Sequence, residues 1–195
     1  MSLLFEKKLS LGWFRAFDQK PALTFAQVHQ THSVKVLDAQ TPELSAQEAD
    51  GIVAHDRTTL AIKTADCMPV AIEGTQGQAL LHAGWRGLAG GILTTPEVQK
   101  IQPTEAFIGP CIRACCFEVT AEFSGHFPNA AIIKRPDGTL RFDLVAEAYR
   151  QLKGQFPKIK LSDSGVCTCC NSKYPSYRRD KTPQRIWNLY VPLAQ

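Results

Sequence analysis

The chain has 195 residues, 44% of them apolar and 21% charged, with a net charge of +4. That length suffices for a substantial core without covalent staples, so the expectation is a single domain spanning residues 1–195. The charge is too mild to imply a nucleic-acid partner. No apolar run approaches the ~18 residues of a membrane span, and the first stretch, MSLLFEKKLSLGW, holds no apolar leader core; a cytoplasmic protein without membrane contact is expected. Seven cysteines, an odd number, speak against a disulfide framework. They should be metal ligands, catalytic groups or small buried apolar residues.

Residues 1–26 are weakly patterned. Short strands are expected at 23–28 and 34–37, and the turn between them carries His29 and His32 at i and i+3. Residues 49–54 read as a turn entering a strand, and 60–63 as another. The most informative stretch follows. Residues 68–73 and 78–83 are short apolar runs separated by Gly74-Thr75-Gln76-Gly77, a hairpin signature. Pairing Glu73 with Gln78 sets Ile72 opposite Ala79, Val70 opposite Leu81 and Met68 opposite Ala83, an apolar face for the core. The other face then brings Cys67 diagonal to His82, at roughly 7–8 Å. A zinc ion spans such a gap, whereas a slip of one residue sends the two side chains to opposite faces. Immediately after come Gly84-Trp85-Arg86-Gly87. They offer an aromatic plane and a permanent cation, the side chain of choice for phosphate or carboxylate.

Beyond Gly87, residues 88–93 could start a helix that Pro96 cuts short, and 104–108 is β-compatible. Asp137-Gly138 signals a hairpin between 131–134 and 140–142. Asp143 can cap a helix to about Lys153, with Leu144, Ala148 and Leu152 on one face and Gly154 as its stop. Strands at 158–161 and 186–191 complete an α+β pattern of many short strands and few helices.

Three constellations carry possible chemistry. Cys111 and Cys115 (C-x3-C) with Cys167 and Cys170 (C-x2-C) could form a zinc site of four thiolates, although Cys116 and Cys169 are then left over. The basic tail from Lys173 to Arg185, interleaved with Tyr174 and Tyr177, reads as a solvated face before an RNA-binding one. His29, Cys67 and His82 supply two imidazoles and a thiolate, leaving a fourth position for water or substrate. With Met68 adjacent, the same set also suits copper, so the residues leave the metal open.

Several motifs occur in a familiar order: QVH (27–29), ADG (49–51), TADCMP (64–69), HAGWRG (82–87), IGPCI with CCFEV (108–119), and CT-C with SYRRD (167–180). In these the chain resembles the YfiH-like proteins. That family is labelled multicopper polyphenol oxidase (laccase domain) and described as zinc-dependent purine nucleoside phosphorylase with adenosine deaminase activity. The resemblance implies the family's α+β fold of mixed sheets, and a metal held by His29, Cys67 and His82. It also implies that the other cysteines line or support that site. On this reading the partners are a small nucleoside and phosphate, and the chain is a monomer or weak homo-oligomer. Gln27 and Arg86 are expected at substrate and phosphate, with Arg178 and Arg179 as auxiliaries and Asp50 or Asp66 carrying the proton. The chain departs from the pattern in a short 91–105 segment, in Gln30 where glycine is usual, and in Tyr174-Pro175 and 182–185. Two rival expectations remain: a copper oxidase, for which five histidines are too few, and a metal-free hydrolase with Cys67 as nucleophile and His82 as base.

Overall fold

The structure, a computed structural model, describes residues 1–127 and 132–194. Its centre is a six-stranded mixed sheet with the order β12-β8-β6-β7-β4-β3. The strands are β3 (Val36–Asp38), β4 (Gly51–Ala54), β6 (Met68–Gly74), β7 (Gly77–Ala83), β8 (Pro103–Ile108) and β12 (Lys160–Asp163). The β6–β7 hairpin has the expected register: Met68 opposes Ala83, Val70 opposes Leu81, Ile72 opposes Ala79 and Glu73 opposes Gln78. The ladder runs one pair further, to Gly74 opposite Gly77, so the loop shrinks to Thr75-Gln76. Gly77 takes φ of 145°, a conformation in which a side chain is strained.

The expected inner face of this hairpin packs against helices. Met68, Val70, Ile72, Ala79, Leu81 and Ala83 share a buried cluster with Leu88, Ile92, Val98, Leu144 and Leu152. These come from α1 (Trp85–Ala89), a 3-10 turn (Ile92–Thr94), α2 (Pro96–Lys100) and α3 (Leu144–Gln155). The α3 start is as read from sequence, since Asp143 accepts from the Val145 and Ala146 amides, satisfying donors the first turn leaves free.

The opposite face is also buried. Ala71 and Leu80 meet Phe14, Leu60, Ile62, Ile186 and Tyr190 of a second, four-stranded sheet ordered β1-β2-β13-β5. Its strands are β1 (Leu3–Lys8), β2 (Gly12–Phe17), β5 (Leu60–Thr64) and β13 (Ile186–Pro192). β13, from late in the sequence, sits between β2 and β5 and is antiparallel to both. Glu73 is carried into this layer with no exposed surface. It survives there because the Leu11 amide and the Tyr190 hydroxyl each donate to it at 2.9 Å, which meets the need of a buried polar group for partners. Burial nevertheless raises its pKa.

A small sheet of β9 (Glu118–Val119), β10 (Ile132–Lys134) and β11 (Leu140–Phe142) flanks the core. It contains the hairpin expected around Asp137-Gly138, with residue 131 outside the described residues. Two expectations for the N-terminal third fail. Residues 23–28 form only an isolated bridge, Ala26 to Leu60, while β1 and β2 arise from the stretch whose pattern is weak. Both are strands because the sandwich needs a cover for Phe107 and Leu80: Phe5 stacks on Phe107 at 5.8 Å between centroids and Phe14 meets it at a tilt at 5.1 Å.

Candidate metal centre and cavity

Cys67 ends the turn that enters β6, and His82 lies near the end of β7. The 29–33 loop approaches both. A ligand atom from each of His32, Cys67 and His82 lies within 4.8 Å of the others. Cys67 Sγ is 3.9 Å from His32 Nε2, and the two imidazoles meet edge-on at 4.8 Å between centroids. The third member is therefore His32 in place of the expected His29. Gly84 makes the gathering possible: a Cβ there would lie 3.1 Å from Cys67 Sγ and 3.4 Å from His32 Cδ2.

Asp50 organises the group from behind. Its carboxylate accepts from His82 Nδ1 at 2.7 Å. It also takes the amides of Thr31 (3.2 Å), His32 (3.0 Å) and Ser33 (2.5 Å) and the Ser33 hydroxyl (2.8 Å). One buried carboxylate thus orients the imidazole of His82 and bends the loop that presents His32, whose φ is 63°. Burial opposes the charge on Asp50, but these donors outweigh it and hold the pKa at about 2. With His82 Nδ1 donating to Asp50, its Nε2 is the free ring nitrogen. Burial disfavours a charged His82, yet Asp50 and the neighbouring thiol raise its pKa to about 9. Burial likewise disfavours a Cys67 thiolate, but the two imidazoles bring its pKa down to about 6. The sulfur is thereby favoured in the form that binds metal.

These residues open into a cavity of about 480 Å³ lined also by His29, Gln30, Lys63, Thr64, Tyr177 and Arg185. Gln30, one of the departures from the family pattern, pins the loop to β5: its amide group donates to Lys63 O and accepts from Lys63 N, both at 2.8 Å. His29 contributes an exposed ring to the wall, with its backbone fixed by Gln47 O and the Ala49 amide. The cavity cations are Lys63 and Arg185, which sequence pattern alone cannot separate from ordinary solvated charge.

The other expected site residues lie elsewhere. Asp66, with φ of 83°, is buried and accepts from the Thr168 and Ser176 hydroxyls and the Arg178 amide at 2.7, 3.0 and 2.6 Å. It anchors the tail and does not line the cavity. Arg86 stacks on Trp85 at 4.5 Å on the exposed side of α1. Arg178 donates to Glu118 O. Arg179 is spent on the carbonyls of Thr168, Cys169 and Tyr174 and on Asp180. Gln27 lines a separate surface hollow with Phe25 and Leu44. His55 bonds Gln76 O and His126 lies against Trp85, so among the described residues no second cluster of imidazoles exists.

The donor set and spacing suit a zinc ion: nitrogen and sulfur ligands that would need to close by a small movement about one centre. Sequence comparison agrees with a metal site at the level of the family, without fixing the metal. The multi-copper polyphenol oxidoreductase laccase family matches residues 13–190. The chain belongs to that family. Among its relatives, the purine nucleoside phosphorylase of Aquifex aeolicus (strain VF5) is 34% identical over 186 residues, covering 92% of this chain and 87% of its own. The purine nucleoside phosphorylase YfiH of Escherichia coli (strain K12) is 32% identical over 180 residues, covering 82% and 70%. The crystal structure of Neisseria meningitidis protein NMB0706 superposes with a TM-score of 0.78 at 30% identity, over 88% of this chain and 76% of that one. Bacillus licheniformis YfiH, at 24% identity and a TM-score of 0.74, shares the fold over 87% and 73%. The expected α+β fold and family are thus established, and no helix among the described residues is long and apolar enough to cross a membrane.

Proposed function

We propose that the protein is a zinc-dependent purine nucleoside phosphorylase that also deaminates adenosine. The observation that carries this reading is the convergence of His32, Cys67 and His82 in a cavity whose wall holds Lys63 and Arg185. The names of its relatives support the phosphorylase part of this reading. A zinc ion in this set would supply a Lewis acid able to polarise a bound oxygen and lower the pKa of a coordinated water toward ~7.

The chain's own residues account for the rest. Lys63 and Arg185 attract phosphate and hold its charge beside the sugar. Tyr177, half exposed at 53%, offers a face on which a purine stacks. In phosphorolysis a phosphate oxygen bonds to C1′ as the C1′–N bond breaks, and the departing base needs a proton. In deamination a water oxygen bonds to C6 and ammonia leaves, again with a proton delivered. The His29 imidazole, in the cavity wall, is placed to carry it. Asp50 is already fully engaged by its donors, so it serves as a positioning residue, and Asp66 buttresses the tail.

The test is phosphate-dependent release of adenine and hypoxanthine from adenosine and inosine, with Cys67→Ala as control. Release is expected in the native protein and lost in the variant; equal release in both overturns the reading. Activity that survives chelation but not thiol alkylation would instead assign Cys67 as a metal-free nucleophile.

A further inference from the structure

A second group of metal-ligating side chains lies outside the cavity. Cys115 and Cys116 belong to the turn between β8 and β9, and Cys167 and Cys170 to the turn after β12. A sulfur from each lies within 4.8 Å of the others. Cys170 Sγ is 3.5 Å from Cys115 Sγ and 3.2 Å from Cys116 Sγ, and all seven cysteines of the chain are free thiols. Sulfurs arranged tetrahedrally about 2.3 Å from a zinc ion are separated by about 3.8 Å. Small side-chain movements convert the observed group into that arrangement.

The backbone on either side is already built. The two turns are joined by a bridge between Cys111 and Cys167 and by the Thr168 amide donating to Cys111 O at 3.0 Å. The first turn closes through the Cys116 and Phe117 amides on Arg113 O, and the second through the Asn171 amide on Cys167 O. Cys111 is fully buried in the core and Cys169 packs against the same core. Neither belongs to the group, so the spacing read from sequence chose Cys111 where the fold uses Cys116.

We propose that Cys115, Cys116, Cys167 and Cys170 bind a zinc ion through four thiolates, at a site separate from the cavity. Four protein ligands close the coordination shell, so the site is structural. Binding releases the thiol protons to solvent and involves no change of oxidation state. Its mechanical role follows from what the turns carry. Thr168, next to Cys167, donates to Asp66, and Asp66 in turn holds Ser176 and Arg178, the residues that flank the cavity residue Tyr177.

The test measures metal on the full chain. Native protein, the Cys116→Ser/Cys170→Ser variant and Cys67→Ala are each loaded with zinc and assayed by mass spectrometry. Each variant is expected to lose one equivalent relative to native protein, from different sites. Cobalt loading adds a spectroscopic readout: intense thiolate-to-cobalt absorption is expected in native protein and in Cys67→Ala, and is expected to fall in the double variant to the weaker band of a single thiolate, Cys67. Should the double variant not fold, alkylation mapping on native protein decides. Zinc is expected to slow modification of Cys115, Cys116, Cys167 and Cys170 at least tenfold. Equal zinc content in native protein and the double variant, unchanged alkylation rates with zinc, or a Cys116–Cys170 disulfide in zinc-loaded protein would overturn the proposal.

Discussion

The cavity centre and the thiol cluster are built from opposite kinds of scaffold. His82 and Cys67 are fixed by a hairpin buried on both faces, and a buried carboxylate aims the imidazole. Three candidate ligands converge at the wall of a cavity. The thiol cluster hangs on two turns, with Cys115 and Cys170 exposed and four candidate ligands gathered together. A partial ligand set on a buried hairpin beside a cavity suits turnover, whereas a full set on hydrogen-bonded surface turns suits a staple. Position in the fold, more than ligand type, separates the two.

The sharpest way to break this comparison is to remove a cavity ligand. Cys67→Ala or His32→Ala is expected to abolish metal binding at the cavity and lower kcat/KM on the order of 10³-fold or more, since the metal is asked for several kcal/mol. His29→Ala should keep its metal and lose rate alone. Zinc titration with steady-state kinetics checks both, and retained metal in His32→Ala with loss in His29→Ala would return the ligand role to His29. Next in size is Asp50→Asn, which weakens the aim of His82 and the hold on the 31–33 loop. Loss of such a supporting group lowers metal affinity or activity roughly 10–100-fold, and faster amide exchange at Thr31, His32 and Ser33 should accompany it.

Asp66→Ala sharpens the contrast from the other side. It leaves the Thr168 and Ser176 hydroxyls and the Arg178 amide without their acceptor. Unsatisfied buried donors of this kind cost about 2–4 kcal/mol, read as a lower urea midpoint with an unchanged slope. The smallest effect belongs to a carboxylate remote from both clusters. Burial disfavours the charge on Glu147, but Arg150 and Gln151 more than offset this and lower its pKa. Because the folded-state value is depressed, the contribution is present above the ordinary glutamate range and is lost as pH falls through the folded value. Denaturation of native protein and Glu147→Gln from pH 7 to about 3 should show their stability difference shrinking toward acid.

The hairpin was legible because two short apolar runs, two bounding glycines and a short loop leave one register that buries Val70, Ile72, Ala79 and Leu81 together. The α3 cap was legible because Asp143 stands directly before an apolar stripe. What escaped depends on contacts distant in sequence. Burial of Glu73 needs Leu11 and Tyr190, which no local pattern announces. The choice of His32 over His29 is made by Asp50 gripping three consecutive amides, and only the neighbouring Ser33 and the twin histidines hinted at a built loop. Lys63 and Arg185 face the cavity because β5 and β13 pair side by side. Arg178 and Arg179, in a motif that suggests substrate contact, instead lock the tail.

The place of β13 has a consequence for synthesis. During translation, β2 and β5 are made long before the strand that joins them, and each must wait with an unpaired edge. Lys63 is present throughout that interval but Arg185 is not. The cavity therefore acquires its full charge only when Ile186–Pro192 emerges from the ribosome and zips between the waiting edges. A nascent chain stalled before that point would lack both Arg185 and the central strand of the second sheet, a built-in delay between gathering the proposed metal ligands and completing the cavity wall.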